Sequence, residues 1–295
     1  MRRQWTTDLV LLGVAVAAIS TSAPLVREAA APAFVIAFWR NGLAAAVLVP
    51  VARRRHRDEV AALARRDRRL IVLAGVLLAG HFATWIPSLS LTSVASSVAL
   101  LCTQPVWAAL LARANGETVT RATWLGIAVA LVGVIVLTGI DVSLDTRALG
   151  GDALALAGGA LSAGYITVGA QVRRTVSTTV YTAGCYGAAA AALLVGCVVA
   201  RQDPVHLSAR AWWCIVAITV GPQLLGHSVV NRVLRTMSAT LVSVAILLEI
   251  VGATALAWWW FAEAPPAGAY PAAALIAAGV VIVVRAGGPA DVPVD

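Results

Sequence analysis

The chain has 295 residues, of which 60% are hydrophobic and only 12% charged, where a soluble domain carries roughly 25% charged residues. That balance excludes an ordinary soluble globule and requires a bilayer. All 22 basic residues are Arg, which excludes a P-loop ATPase and Schiff-base chemistry, both of which need a Lys.

A bilayer-crossing helix needs about 20 apolar residues, and ten such stretches follow one another. They lie at 8–26, 32–52, 70–88, 92–112, 121–140, 150–171, 177–200, 210–231, 237–261 and 268–285. Turn chemistry or charge separates them: Ala31-Pro32, Asn115-Gly116-Glu117, Gly150-Gly151-Asp152, Asp203-Pro204 and Ala264-Pro265-Pro266-Ala267. Only the 53–69 segment reads as a sizeable loop. Met1-Arg2-Arg3-Gln4-Trp5 leads into a retained first span rather than a cleaved signal. The four Cys (Cys102, Cys185, Cys197, Cys214) sit in apolar stretches without metal-like spacing and read as packing residues.

Arg placement sets an expected orientation. With the N-terminus in the cytoplasm, that face receives Arg2, Arg3, the Arg residues of 53–69, Arg113, Arg121, Arg173, Arg174, Arg232, Arg235 and Arg285. The other face holds only Arg27, Arg147, Arg201 and Arg210. Both termini are therefore expected in the cytoplasm of a bacterial-type plasma membrane. The net charge of +8 then points to anionic lipid as a partner, and not to nucleic acid.

The chain also repeats itself at an ungapped offset of 146 residues. Gly80-His81 falls on Gly226-His227, Ser97-Val98-Ala99 on Ser243-Val244-Ala245, Glu117 on Glu263, and Gly133 on Gly279. The halves are 1–145 and 146–295, with five helices each. Five is odd, so the second half is expected upside down relative to the first, an arrangement suited to alternating access.

Ionisable residues inside spans are costly and are functional candidates by default. Arg40 falls near the middle of the second span and Glu249 near the middle of the ninth. They read either as a static ion pair or as a substrate or proton site. His81 and His227, related by the repeat, could line the two ends of one pathway. Gln104, Gln223 and Asn231 are polar candidates for a cavity, and Gln104-Pro105 and Gly221-Pro222-Gln223 should interrupt their helices. Trp39, Trp85 and Trp107 could form an apolar wall, with Trp85 included in the substrate site. Trp212-Trp213 and Trp258-Trp259-Trp260 suit an interfacial belt. Asp141, Asp145, Asp152 and Asp203 read as outer loop charges or helix caps. No metal-ligand spacing, cofactor motif or catalytic set is present, so neither a cofactor nor enzymatic activity is expected.

The segment Ser97-Val98-Ala99-Leu100-Leu101 … Gln104-Pro105-Val106 … Gly116-Glu117, then Gly126 and Gly133, resembles EamA-type proteins of the drug/metabolite transporter superfamily. Its counterpart is Ser243-Val244-Ala245-Ile246-Leu247-Leu248-Glu249 … Glu263, then Gly279. The resemblance covers nearly the whole chain as two tandem units. Leu248-Glu249 matches a Leu-Glu-Pro step of the family's ninth helix, but Ile250 stands where the family has Pro. The resemblance implies a ten-helix all-α bundle that exports small metabolites, amino acids or drugs, often by proton exchange. A small-molecule substrate and protons are thus expected partners, and the sequence also allows a homodimer. The competing reading is a non-transporting scaffold or partner subunit, in which Arg40 and Glu249 merely staple two helices.

Overall fold

Among the described residues of the computed structural model, ten apolar helices are long enough to cross a membrane: Gln4–Ala29, Ala33–Arg55, Arg65–Ser88, Ser96–Ala114, Arg121–Thr138, Thr146–Val172, Thr178–Val199, Ala209–Val233, Ala239–Phe261 and Ala269–Ala286. They are spans 1 to 10 below. The structure describes residues 2–88, 91–92, 94–138, 145–262, 264–265 and 268–286. Asp141 and Glu263 lie outside the described residues. No strand occurs among the described residues.

The 53–69 segment is not the open loop expected. Span 2 stays helical through Arg55, a short helix covers Arg57–Ala62, and span 3 starts at Arg65. Arg is a strong helix former, and its long side chain reaches water while its backbone stays helical. The short helix is tied inward: the Ser177 backbone N–H, at the start of span 7, donates to Glu59 Oε1 at 2.6 Å. His56 Nδ1 lies 3.1 Å from Glu59 Oε2. Burial pushes the Glu59 carboxyl up, but the two Ser177 donors and His56 outweigh it and hold it below the usual carboxylate range.

Four spans are interrupted, three of them at Pro. Pro24 has no N–H for the Ser20 carbonyl, and span 1 breaks at Thr21 between helices Arg2–Ser20 and Ser22–Ala29. There the Ser20 hydroxyl bonds back to Val16 O and the Thr21 hydroxyl to Ala18 O. Pro105 likewise leaves Leu101 O without its helical donor, and span 4 breaks at Cys102-Thr103. Pro222 lies in a π-helical stretch, Thr219–His227, of span 8. Span 9 breaks at Leu247 with no Pro or Gly at the break. The Leu247 and Ile250 amides bond three residues back, to Val244 O and Leu247 O, a local tightening of the helix.

The two halves meet in reciprocal contacts. A Cβ on Gly126 would stand 2.8 Å from Gly279 O, and one on Gly279 would stand 2.5 Å from Gly126 O. A Cβ on Gly133 would stand 2.9 Å from Ala272 O. Numbers rise along span 5 as they fall along span 10, so these repeat-equivalent helices cross antiparallel. The offset of 146 turns the 126–279 contact into 272–133, as a two-fold relation between inverted halves requires. Spans 2 and 7 form a second self-paired contact, and span 3 against span 6 is repeated by span 8 against span 1. Small residues at these crossings let backbones approach, the usual basis of helix packing in lipid.

Candidate functional site

Arg40 is the organising residue. Span 2 carries it into the centre, where it is 3% exposed. Its Nε donates to Gln223 Oε1 at 2.8 Å and its Nη1 to Ser22 Oγ at 3.3 Å. Its guanidinium lies over the Phe82 ring, 4.9 Å from the centroid. Gln223, fully buried in the π-helical stretch, donates its Nε2 to Asn41 Oδ1 at 3.0 Å. The altered helical register of span 8 and the break in span 1 thus bring Gln223 and Ser22 onto one guanidinium. The third nitrogen, Nη2, is buried and has no hydrogen-bond partner among the described residues.

Glu249 stands at the restart of span 9, in the first turn after the Leu247 break. It is half-buried and makes no hydrogen bond or ion pair among the described residues. Arg40 and Glu249 are close enough to interact electrostatically, yet no ion pair joins them. The static pair weighed from the sequence is therefore not formed.

His81 donates from Nδ1 to the Gly158 carbonyl at 3.1 Å and stacks on Trp85, with ring centroids 6.0 Å apart. That bond assigns the Nδ1–H tautomer to a neutral ring and leaves Nε2 as its acceptor. Trp85 Nε1 is buried without a partner among the described residues. His227, at the end of the π-helical stretch, lies within electrostatic reach of both Arg40 and His81. Glu249, His81 and His227 thus all lie within electrostatic reach of Arg40. Two donors, Arg40 Nη2 and Trp85 Nε1, have no acceptor among the described residues.

Two other sequence candidates are held in structural ties. Gln104 Nε2 donates to Ser243 Oγ at 3.2 Å, and its Oε1 accepts from Ser162 Oγ at 3.0 Å. Spans 4, 9 and 6 are joined through that one amide. Asn231 Nδ2 donates to the Tyr165 hydroxyl at 2.7 Å and to that of Tyr186 at 3.4 Å. Tyr186 in turn pairs with Ser228 at 3.2 Å. Of the other Trp candidates, Trp39 donates to Pro204 O at 2.7 Å and meets Trp212 edge-on. It pins the loop between spans 7 and 8 and is not part of the Arg40 group. Trp107 Nε1 donates to Thr103 Oγ1 at 3.1 Å, inside its own span. All four Cys are buried and free.

The sequence reading missed the aromatic hydroxyl cluster Tyr165–Asn231–Tyr186, although the repeat offset carries its signal. Adding 146 takes Arg40 to Tyr186, Phe82 to Ser228 and Trp85 to Asn231. The equivalent positions are charged and aromatic in the first half, and neutral and polar (a phenol, a hydroxyl and an amide) in the second.

The model of the EamA-like transporter family matches residues 6–139 and 149–285. No curated protein matches the chain. Among the solved structures, a crystal structure of a protein superimposes with a TM-score of 0.81 at 20% identity, covering 96% of this chain and 98% of that one. At that identity the likeness concerns the fold alone.

Proposed function

Because the chain belongs to the EamA-like transporter family, we propose that it is a secondary active transporter that exports a small zwitterionic metabolite by alternating access, coupled to protons. The observation that carries this reading is the pair of unpaired groups at the centre: Arg40 Nη2 without an acceptor and Glu249 without a donor. A staple between helices would use each group on the other, whereas a transporter needs both available to its solute.

In this reading the solute's carboxylate docks on Arg40 Nη2 and accepts from Trp85 Nε1, a charge-assisted recognition suited to a guanidinium. Gln223 and Ser22 fix the guanidinium in orientation, and Phe82 backs it with an aromatic face. The solute's ammonium meets Glu249. Without solute, Glu249 takes a proton instead, because an unpaired carboxylate in a low-dielectric interior is costly. Proton and ammonium then compete for one carboxylate, which is the minimal chemistry of antiport. The inverted halves supply the two gates. The Arg-rich face lies in the cytoplasm, together with both termini.

The test is transport of a mixed metabolite extract in proteoliposomes under an imposed pH gradient, wild type against Glu249→Gln. The proposal expects gradient-driven accumulation with the wild type only. Equal accumulation by both proteins would remove Glu249 from the coupling. Unchanged transport after the gradient is collapsed would remove proton coupling altogether.

A further inference from the structure

A crevice of about 300 Å³ opens on the outside of the bundle between spans 1, 9 and 10. Its walls are almost wholly apolar and include Leu12, Val16, Leu248, Gly252 and Val284. On span 1 it runs from Leu9 to Ser20, about 17 Å of helix at 1.5 Å per residue. One leaflet of a bilayer's hydrocarbon is about 15 Å thick, half of roughly 30 Å. The crevice therefore has the length of one acyl chain standing in one leaflet.

Its two ends differ. Alternation of ten crossing helices puts the starts of spans 1 and 9 and the end of span 10 at one membrane face. At that face Arg285 follows Val284, is exposed, and has no ion-pair partner among the described residues. Asp8, which precedes the crevice residue Leu9, is buried and accepts the Thr236 hydroxyl at 2.8 Å, and no ion pair joins it to Arg285. The inner end lies at Ser20 and Gly252, beside the break in span 1 and about one turn beyond the break in span 9.

We infer that this crevice binds a phospholipid of the Arg285-side leaflet, with an acyl chain along spans 1 and 9 and an anionic headgroup on Arg285. The bilayer supplies the occupant's tail, the crevice length fits it, and the guanidinium selects the head. The tail tip ends beside the breaks that set Ser22 and Glu249 in place. A bound lipid is therefore a wedge in the seam between spans 1 and 9.

The test is lipid retention, which does not depend on transport. The full chain in detergent is equilibrated with equal amounts of phosphatidylglycerol and phosphatidylcholine of identical chains, and bound lipid is counted by native mass spectrometry. A Cβ on Gly13 would meet nothing within 4 Å, so Gly13→Leu enters the crevice from an unobstructed Cβ. Ala17→Phe, at another exposed wall position, is the second variant should the first not fold. The wild type should retain one phosphatidylglycerol in preference to phosphatidylcholine. The filled variants should retain at least about tenfold less, since Leu displaces two or more methylenes of chain. Arg285→Gln should retain lipid without the preference. Equal retention by wild type and filled variants, or no lipid on the wild type, would overturn the inference. So would an unaltered preference in Arg285→Gln, or a dimer that Gly13→Leu abolishes, which would put a second copy in the crevice.

Discussion

Gln223→Leu tests the geometry around Arg40 most directly. Leu is close in size to Gln, so the change removes hydrogen bonds and leaves little cavity. Two contacts go: Arg40 Nε to Gln223 Oε1, and Gln223 Nε2 to Asn41 Oδ1. A hydrogen bond to a charged group contributes about 1.5–3 kcal/mol. A neutral interhelical bond in a bilayer averages about 0.6 kcal/mol. The expected loss is therefore about 3 kcal/mol, most of it from the guanidinium left with one fewer acceptor. Denaturant titration in mixed micelles, followed by Trp fluorescence, reads the change. Asn41→Leu in the same background should cost less than it does in the wild type, because its partner is already gone. A loss below about 0.5 kcal/mol for Gln223→Leu would mean that the amide does not hold Arg40, and the orientation of the guanidinium would need another cause.

Two further outcomes follow from packing and from charge. Gly279→Ala places a methyl 2.5 Å from the Gly126 carbonyl, where nothing flexible can yield, and should destabilise by about 1–3 kcal/mol. Gly13→Ala, in open space, should instead be neutral or stabilising, and the same micelle titration compares the two. Glu59 is held below its ordinary value of 4.5, so its contribution is present above that pH and is lost as pH falls through the depressed value. Thermal melts at pH 7 and pH 4 should therefore differ less in Glu59→Gln than in the wild type.

The architecture was legible because lipid imposes a strict rule: each crossing segment must be apolar, long and helical. Ten spans, an odd number per repeat and the central positions of Arg40 and Glu249 all follow from composition and the offset of 146. The breaks at Pro24, Pro105 and Pro222 rest on a missing N–H and can be read from sequence. The break at Leu247 has no local cause. It becomes legible only through the repeat, which maps Cys102-Thr103 onto Leu248-Glu249. The roles of Gln104 and Asn231 were not legible, because a polar residue in a span looks alike whether it faces a cavity or a neighbouring hydroxyl. Their partners, Ser162, Ser243 and Tyr165, are set by packing between distant segments. The helical 53–69 segment was misread because a run of Arg signals solvent without signalling coil.

The antiparallel crossing of spans 5 and 10 uses one surface twice, as the interface of a symmetric dimer does. Two separate half-length chains meeting in this way would have to present identical side chains to their shared axis. Such an assembly would hold two arginines at the membrane centre, with like charges repelling in a poor solvent for both, or none. Joining the halves in one polypeptide releases that constraint. Arg40 then has a phenol, Tyr186, as its repeat equivalent, and the chain carries a single cation at this pair of positions. Covalent fusion is thus what allows repeat-equivalent positions at the centre to carry different side chains.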